Sequence, residues 1–266
     1  ELLSGNLKPE NATPDSNVKI IESNRASMDE LESRVSANRK KMEELVSKSE
    51  ENSKSLMSNK EQINEAINGS LKRLNTDYID LYQLHWPDRK ANFFGKLGYT
   101  HQEENDFIDI KTQLEVLADN IKDGKIRYIG LSNETPWGLM KFLSVADKYN
   151  LPRIVSVQNP YSLLNRSYEV GMAEISMREN CGLLAYSPLA FGMLTGKYDN
   201  GAKPDGARLT IYGDMYTRYT KIKGLRCSER FNDIARRHNL KPSSMALGYV
   251  NSKDFLTSNI IGATNL

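Results

Sequence analysis

Residues 124–136 read GKIRYIGLSNETP, and they carry in one stretch a pattern that recurs along the chain. Gly124 closes a helix marked by Leu114, Leu117 and Ile121, and the apolar run Ile126 to Leu131 follows as a strand that stops at Ser132 and Asn133. Thr135 and Pro136 are the residue types of a helix N-cap and a first-turn proline, opening a helix that turns Leu139, Phe142, Leu143 and Ala146 inward.

Moving outward, the same alternation appears on both sides. Upstream, Ile63, Ile67, Leu71 and Leu74 predict a helix ending near Asn75, and the run YIDLYQL from Tyr78 to Leu84 stops at His85-Trp86-Pro87. Downstream, Ile154 to Val157 stops at Gln158-Asn159-Pro160, and a helix from about Tyr168 to Arg178 leads to Leu183–Ala185, which stops at Tyr186-Ser187-Pro188. Helical patterns at Ser228–His238 and Ser243–Ser252 precede Ile260-Ile261, which stops at Gly262-Ala263-Thr264. Short apolar runs separated by helices predict parallel strands buried on both faces. The expected fold class is therefore α/β, a partial (β/α)8 barrel of the TIM type, whose ligand-binding side chains crowd the C-terminal rim of the strands. A doubly wound sheet would alternate in the same way, but no G-x-G-x-x-G follows any of these strands, which argues against a Rossmann nucleotide site.

Composition narrows the function classes. The chain has 266 residues, with 36 Lys and Arg against 34 Asp and Glu, so no general electrostatic attraction to nucleic acid is expected. No stretch has the length and uniform apolarity of a membrane helix, and the polar residues 1–17 hold no apolar core of a secretory signal. Cys181 and Cys227 are too few for a disulfide framework or a cysteine zinc site, and a reducing, cytoplasmic setting is expected.

The N-terminal part differs from the rest. Every Phe, Trp and Tyr lies at or after Tyr78, so the preceding residues have no rings to fill a globular core. Residues 1–17, with Pro9 and Pro14 and no apolar period, are expected to be a mobile leader. Residues 18–58 follow a heptad pattern whose rows run on a little further: Ile21, Met28, Val35, Met42, Ser49, Leu56 and Ile63 form one seam row, and Asn24, Leu31, Asn38, Leu45, Asn52, Asn59 and Ala66 the other. A seam this narrow suits a coiled coil and hence a homo-oligomer formed through residues 18–58; a solvated single helix or a partly ordered spacer is the alternative. Residues 59–266 would then be the barrel part.

The runs SLKRLNTDYIDLYQLHWPD, GKIRYIGLSNET, IVSVQNPYSLLNR, LLAYSPLAFGMLTGKY and NIIGAT resemble the NADP(H)-dependent branch of the aldo-keto reductases. The resemblance covers about residues 60–266, with the motifs in order. It implies a β/α barrel that binds NADP(H) across the strand ends and transfers hydride to a small aldehyde or ketone. It places the strand-four histidine, which orients and polarises the carbonyl, on His85. Ser132, Asn133 and Gln158 would hold the nicotinamide carboxamide, and Tyr186 would stack on the ring. Ser187, Leu189, Gly192 and Lys197 would cover the pyrophosphate, while Gly262, Thr264 and Asn265 would begin the segment that meets the adenosine phosphate. The side-chain chemistry agrees with these roles on its own terms. A carboxamide offers one acceptor and two donors, its ring face needs an aromatic wall, and a carbonyl gaining charge needs a nearby donor. Taken singly, the same residues have plainer readings: Asn133 beside a helix N-cap, Gln158 in a turn ending a strand, Gly262 in an ordinary turn, Tyr186 in the core.

The resemblance breaks at both ends of the chain. The family's general-acid tyrosine follows strand two, with an aspartate after strand two and a lysine after strand three, yet no tyrosine precedes Tyr78 here. Lys48, Lys54 and Lys60 lie in a charged helical stretch rather than at a strand end. The strands legible here would leave a barrel of eight unclosed. Weak or absent catalysis is therefore expected, with an interaction protein built on the heptad helix, or a fragment or chimeric product, as the competing readings.

Overall fold

A computed structural model describes residues 14–92, 98–101 and 107–262, the side chains of residues 16, 17, 49–56 and 59 excepted. Two compact units divide the chain, Glu1–Asn59 and Lys60–Leu266.

The long helix α1 spans Pro14–Leu74. It opens four residues ahead of the expected boundary at residue 18, because Pro14 suits the first helical position and Asp15 complements the positive end of the helix dipole. The remainder of the expected leader, residues 1–13, lies outside the described residues. From Asp15 to Asn68 the sequence holds neither proline nor glycine, so nothing interrupts the hydrogen-bond ladder. The helix stops at Leu74, where Asn75 takes a left-handed backbone with φ 52°.

In the Lys60–Leu266 unit a parallel sheet runs in the order β1 (Ile79–Leu84), β2 (Ile126–Ser132), β3 (Ile154–Pro160), β4 (Gly182–Tyr186) and β5 (Leu256–Ile260). Helices α2 (Ile110–Lys122), α3 (Pro136–Tyr149) and α4 (Met172–Glu179) connect the first four strands; α5 (Arg208–Tyr212), α6 (Ile222–Arg237) and α7 (Pro242–Asn251) lie between β4 and β5. Helices alternating with parallel strands fit the α/β class expected from the sequence. Two local expectations change. β5 starts at Leu256 and ends at Ile260, leaving Ile261 beyond the paired segment. The helix anticipated from Tyr168 to Arg178 is a 3-10 turn, Ser167–Val170, followed by α4, because Gly171 leaves the helical backbone between them. The short α5 carries too few residues to show a period.

The core joins Ile67, Leu114 and Leu117 to Leu139, Phe142 and Leu143 of α3 and to Ile129, Leu131, Val157, Leu183 and Ala185 of the strands. Each of the Leu, Ile, Val and Phe side chains among them contributes roughly 1.5–3 kcal/mol on burial. The strands must approach closely, and at Gly130 a Cβ would stand 2.8 Å from the Ser156 hydroxyl on the next strand. Thr135 caps α3 by accepting from the Gly138 amide at 3.3 Å, and Asp109 caps α2 by accepting from the amides of Lys111 and Thr112. At their other ends α3 and α4 stop at Asn150 and Asn180, both with φ 52°, and the turn after α6 uses Asn239 with φ 57°.

Candidate active site

The C-terminal ends of the strands meet in one hydrogen-bonded cluster. β2 runs out at Ser132, and Asn133 then takes a left-handed backbone with φ 55°, a conformation asparagine tolerates because its side chain bonds locally. That turn swings the Asn133 carboxamide across the sheet. Its Nδ2 donates to the His85 carbonyl oxygen after β1 at 2.9 Å and to the Ser132 hydroxyl at 3.2 Å. Its Oδ1 accepts from the Tyr186 hydroxyl at the end of β4 at 2.5 Å. The Ser132 hydroxyl donates to the Gln158 carbonyl on β3 at 2.9 Å, and the Asn133 amide donates to the same oxygen at 3.0 Å. One asparagine thereby ties the ends of β1, β2, β3 and β4 together, and the β4–β5 register brings Ile260 opposite Tyr186.

Among the expected site residues, Ser132 and Asn133 are buried, Gln158, Tyr186, Ser187 and Leu189 are half-buried, and His85 is exposed, its ring 5.2 Å from that of Trp86. Gln158 joins the cluster through its backbone oxygen, and His85 likewise. In the loop after β4, Gly192 has φ 95°, and a Cβ there would meet Lys197 Cε at 2.6 Å, so glycine at 192 lets Lys197 fold back beside it. Gly262 is exposed just past β5; Thr264 and Asn265 lie outside the described residues.

Two neighbours of the site escaped the sequence reading. The Arg218 guanidinium stands beside the Tyr186 phenol, brought there from the segment after α5. Past the ends of β1 and β2, Arg89 pairs with the buried Glu134 carboxylate at 2.5 Å and donates to Thr135 Oγ1 at 3.0 Å, while its guanidinium lies 4.9 Å from the centre of the Trp137 ring. Glu134 stands next to Asn133 in a polar run, which is a weak signal for a structural carboxylate; nothing near Arg218 or Arg89 in the sequence marks its partner.

Burial pushes the Tyr186 phenol up to about 12, partly offset by the Arg218 charge. An unfolded phenol releases its proton near 10. Between those values the unfolded chain has lost a proton that the folded chain keeps, so this residue's contribution makes stability fall as pH rises from about 10 to about 12. Spectrophotometric titration of the native chain and of Tyr186→Phe is expected to differ by one phenol ionising well above 10; a difference titrating at the ordinary value contradicts the buried, hydrogen-bonded state.

Among the described residues no group of His, Cys, Asp or Glu side chains is placed to hold a metal ion, and no helix is long and apolar enough to cross a membrane. The strand-end cluster consists of hydroxyl, carboxamide and phenol groups. The family model described as "Aldo/keto reductase family" matches residues 23–266. The chain belongs to the aldo/keto reductase family.

The family match starts ahead of residue 60, where the motif resemblance begins. Relatives of this aldo/keto reductase chain include Protein tas of Escherichia coli (strain K12), 53% identical over 208 residues that make up 78% of this chain and 60% of that protein. Aldo-keto reductase of Babesia bovis is 38% identical over 219 residues, 78% of this chain and 77% of that one. L-glyceraldehyde 3-phosphate reductase of Escherichia coli (strain K12) is 26% identical over 217 residues, 77% of this chain and 56% of that one. The chain thus spans about three-fifths of the length of Protein tas.

Proposed function

We propose that the strand-end cluster binds NADP(H) and serves hydride transfer to a small aldehyde or ketone. The observation that carries this reading is the hydrogen-bonded set of Ser132, Asn133 and Tyr186 gathered over the ends of β1 to β4. Its donors and acceptors match a carboxamide, which itself presents both, and the Tyr186 ring supplies the aromatic wall. When bound, NADPH supplies the hydride. Ser132, Asn133 and Gln158 would orient the nicotinamide amide, with Tyr186 against the ring and His85 donating toward the carbonyl oxygen. Ser187, Leu189 and Gly192 would line the pyrophosphate, to which Lys197 and Arg218 bring the required positive charge. Gly262, Thr264 and Asn265 would meet the adenosine phosphate.

Binding and turnover separate in this reading. A positioned general acid is worth roughly 10²–10⁴-fold in rate, and in the sequence given no tyrosine precedes Tyr78 to fill the family's place for it. NADPH oxidation with a reactive aldehyde is therefore expected to be slower than in a reductase that carries that tyrosine by about that factor.

Fluorescence titration with NADPH tests the binding. Saturation is expected, and Asn133→Gly should weaken it about tenfold or more, since it removes the carboxamide that holds the cluster through three hydrogen bonds of roughly 0.5–1.5 kcal/mol each. Glycine at 133 accepts the left-handed backbone, so it removes the carboxamide without adding strain. No saturation at millimolar NADPH overturns the proposal.

A further inference from the structure

We propose that the exposed stripe of α1 between Ile21 and Leu45 docks a partner helix whose own apolar seam is flanked by aspartate and glutamate. Ile21, Met28, Leu31, Val35, Met42 and Leu45 occupy one side of α1 and are 56–66% exposed. A stripe of alternating three- and four-residue spacing is the half of a knobs-into-holes interface.

The charges beside the stripe choose the occupant. The positions next to the seam carry Arg25 and Arg39 on one side and Arg34, Lys41 and Lys48 on the other, with Glu32 the one acid in these rows between residues 18 and 48. The acids Glu22, Asp29, Glu30, Glu43 and Glu44 lie farther round, at positions that do not border a seam. A second copy of this chain fits poorly. Parallel pairing sets Arg34 of one copy against Arg39 of the other, and antiparallel pairing sets the row of Arg34, Lys41 and Lys48 against itself. Like charges in these rows select against a pairing, and opposite charges select for one. Asn24 and Asn38 inside the seam also favour a helix over a lipid surface, since a facing helix can satisfy a carboxamide and hydrocarbon cannot. The occupant that satisfies both observations is a helix with a leucine-type seam and acidic flanks.

Two synthetic four-heptad peptides with the same leucine-rich seam test this on the full chain, one with Glu and one with Lys at every flanking position. By fluorescence anisotropy the Glu peptide is expected to bind at least about tenfold tighter at low salt, with the gap narrowing at high salt. A triple variant, Arg34→Glu, Arg39→Glu and Lys41→Glu, alters exposed positions only and should reverse the preference, with helix content by circular dichroism unchanged. Equal binding of the two peptides, or of neither, overturns the proposal, as does a preference that the triple variant leaves unmoved. Self-association of the chain through the stripe, seen by sedimentation and lost in Leu31→Lys, overturns it in favour of a second copy. Binding to phosphatidylserine vesicles with no peptide bound overturns it in favour of a membrane surface.

Discussion

Replacing Arg89 by alanine is expected to destabilise the fold by about 3–5 kcal/mol, the cost of leaving a buried carboxylate without its counter-charge. Glu134 has a side chain only 2% exposed, and its Oε1 takes both the Arg89 guanidinium and the Thr135 amide. Glycine at 138 is what lets the pair lie against α3, because a Cβ there would collide with the Glu134 carboxylate and the Arg89 guanidinium. Removing both charges at once, as Arg89→Met with Glu134→Gln, should recover much of the loss, since the cost lies in the unpaired charge rather than in the absence of the bond. Urea unfolding of the native, single and double variants measures this. A single variant that loses less than about 1 kcal/mol would show the pair to be solvated like an ordinary surface salt bridge.

Leu131→Ala should cost about 2–5 kcal/mol through lost burial and the cavity left behind. Leu131 is 2% exposed, pairs in register with Leu84 and Val157, and immediately precedes Ser132 and Asn133, so its packing also anchors the candidate site. Tyr128 on the same strand is 58% exposed, and Tyr128→Ala should change stability by no more than about 0.5 kcal/mol. Comparable losses at the two positions would mean that the strand is covered on both faces.

The strand-end cluster was legible because each strand is a compact apolar run that ends abruptly on polar residues, and parallel strands bring like ends to one rim. Ser132, Asn133 and Tyr186 announce themselves in that way. The roles of Gln158 and His85 were less legible, since both enter the cluster through backbone oxygens that any residue could present. Arg218 and Arg89 left no mark, and Glu134 only the weak one of its polar run: their partners are distant in sequence, and a long-range contact has no period. The start of α1 at Pro14 was obscured by the polar composition of its first turn, which matches a loop as well as a helix. The break between Ser167–Val170 and α4 turns on the backbone of one residue, Gly171, which a run of apolar spacings does not resolve.

The asparagines at 75, 150, 180 and 239 set limits on how this sequence can vary. An ordinary side chain in the left-handed backbone they adopt is disfavoured by roughly 1–2 kcal/mol, whereas asparagine and glycine, and to a degree aspartate, tolerate it. A library randomised at those codons and selected for thermal resistance should return these three residues and few others, although none of the four positions lies in the candidate site. A stranger's alignment column of Asn and Gly at such places would therefore report the geometry of a stop rather than any chemistry.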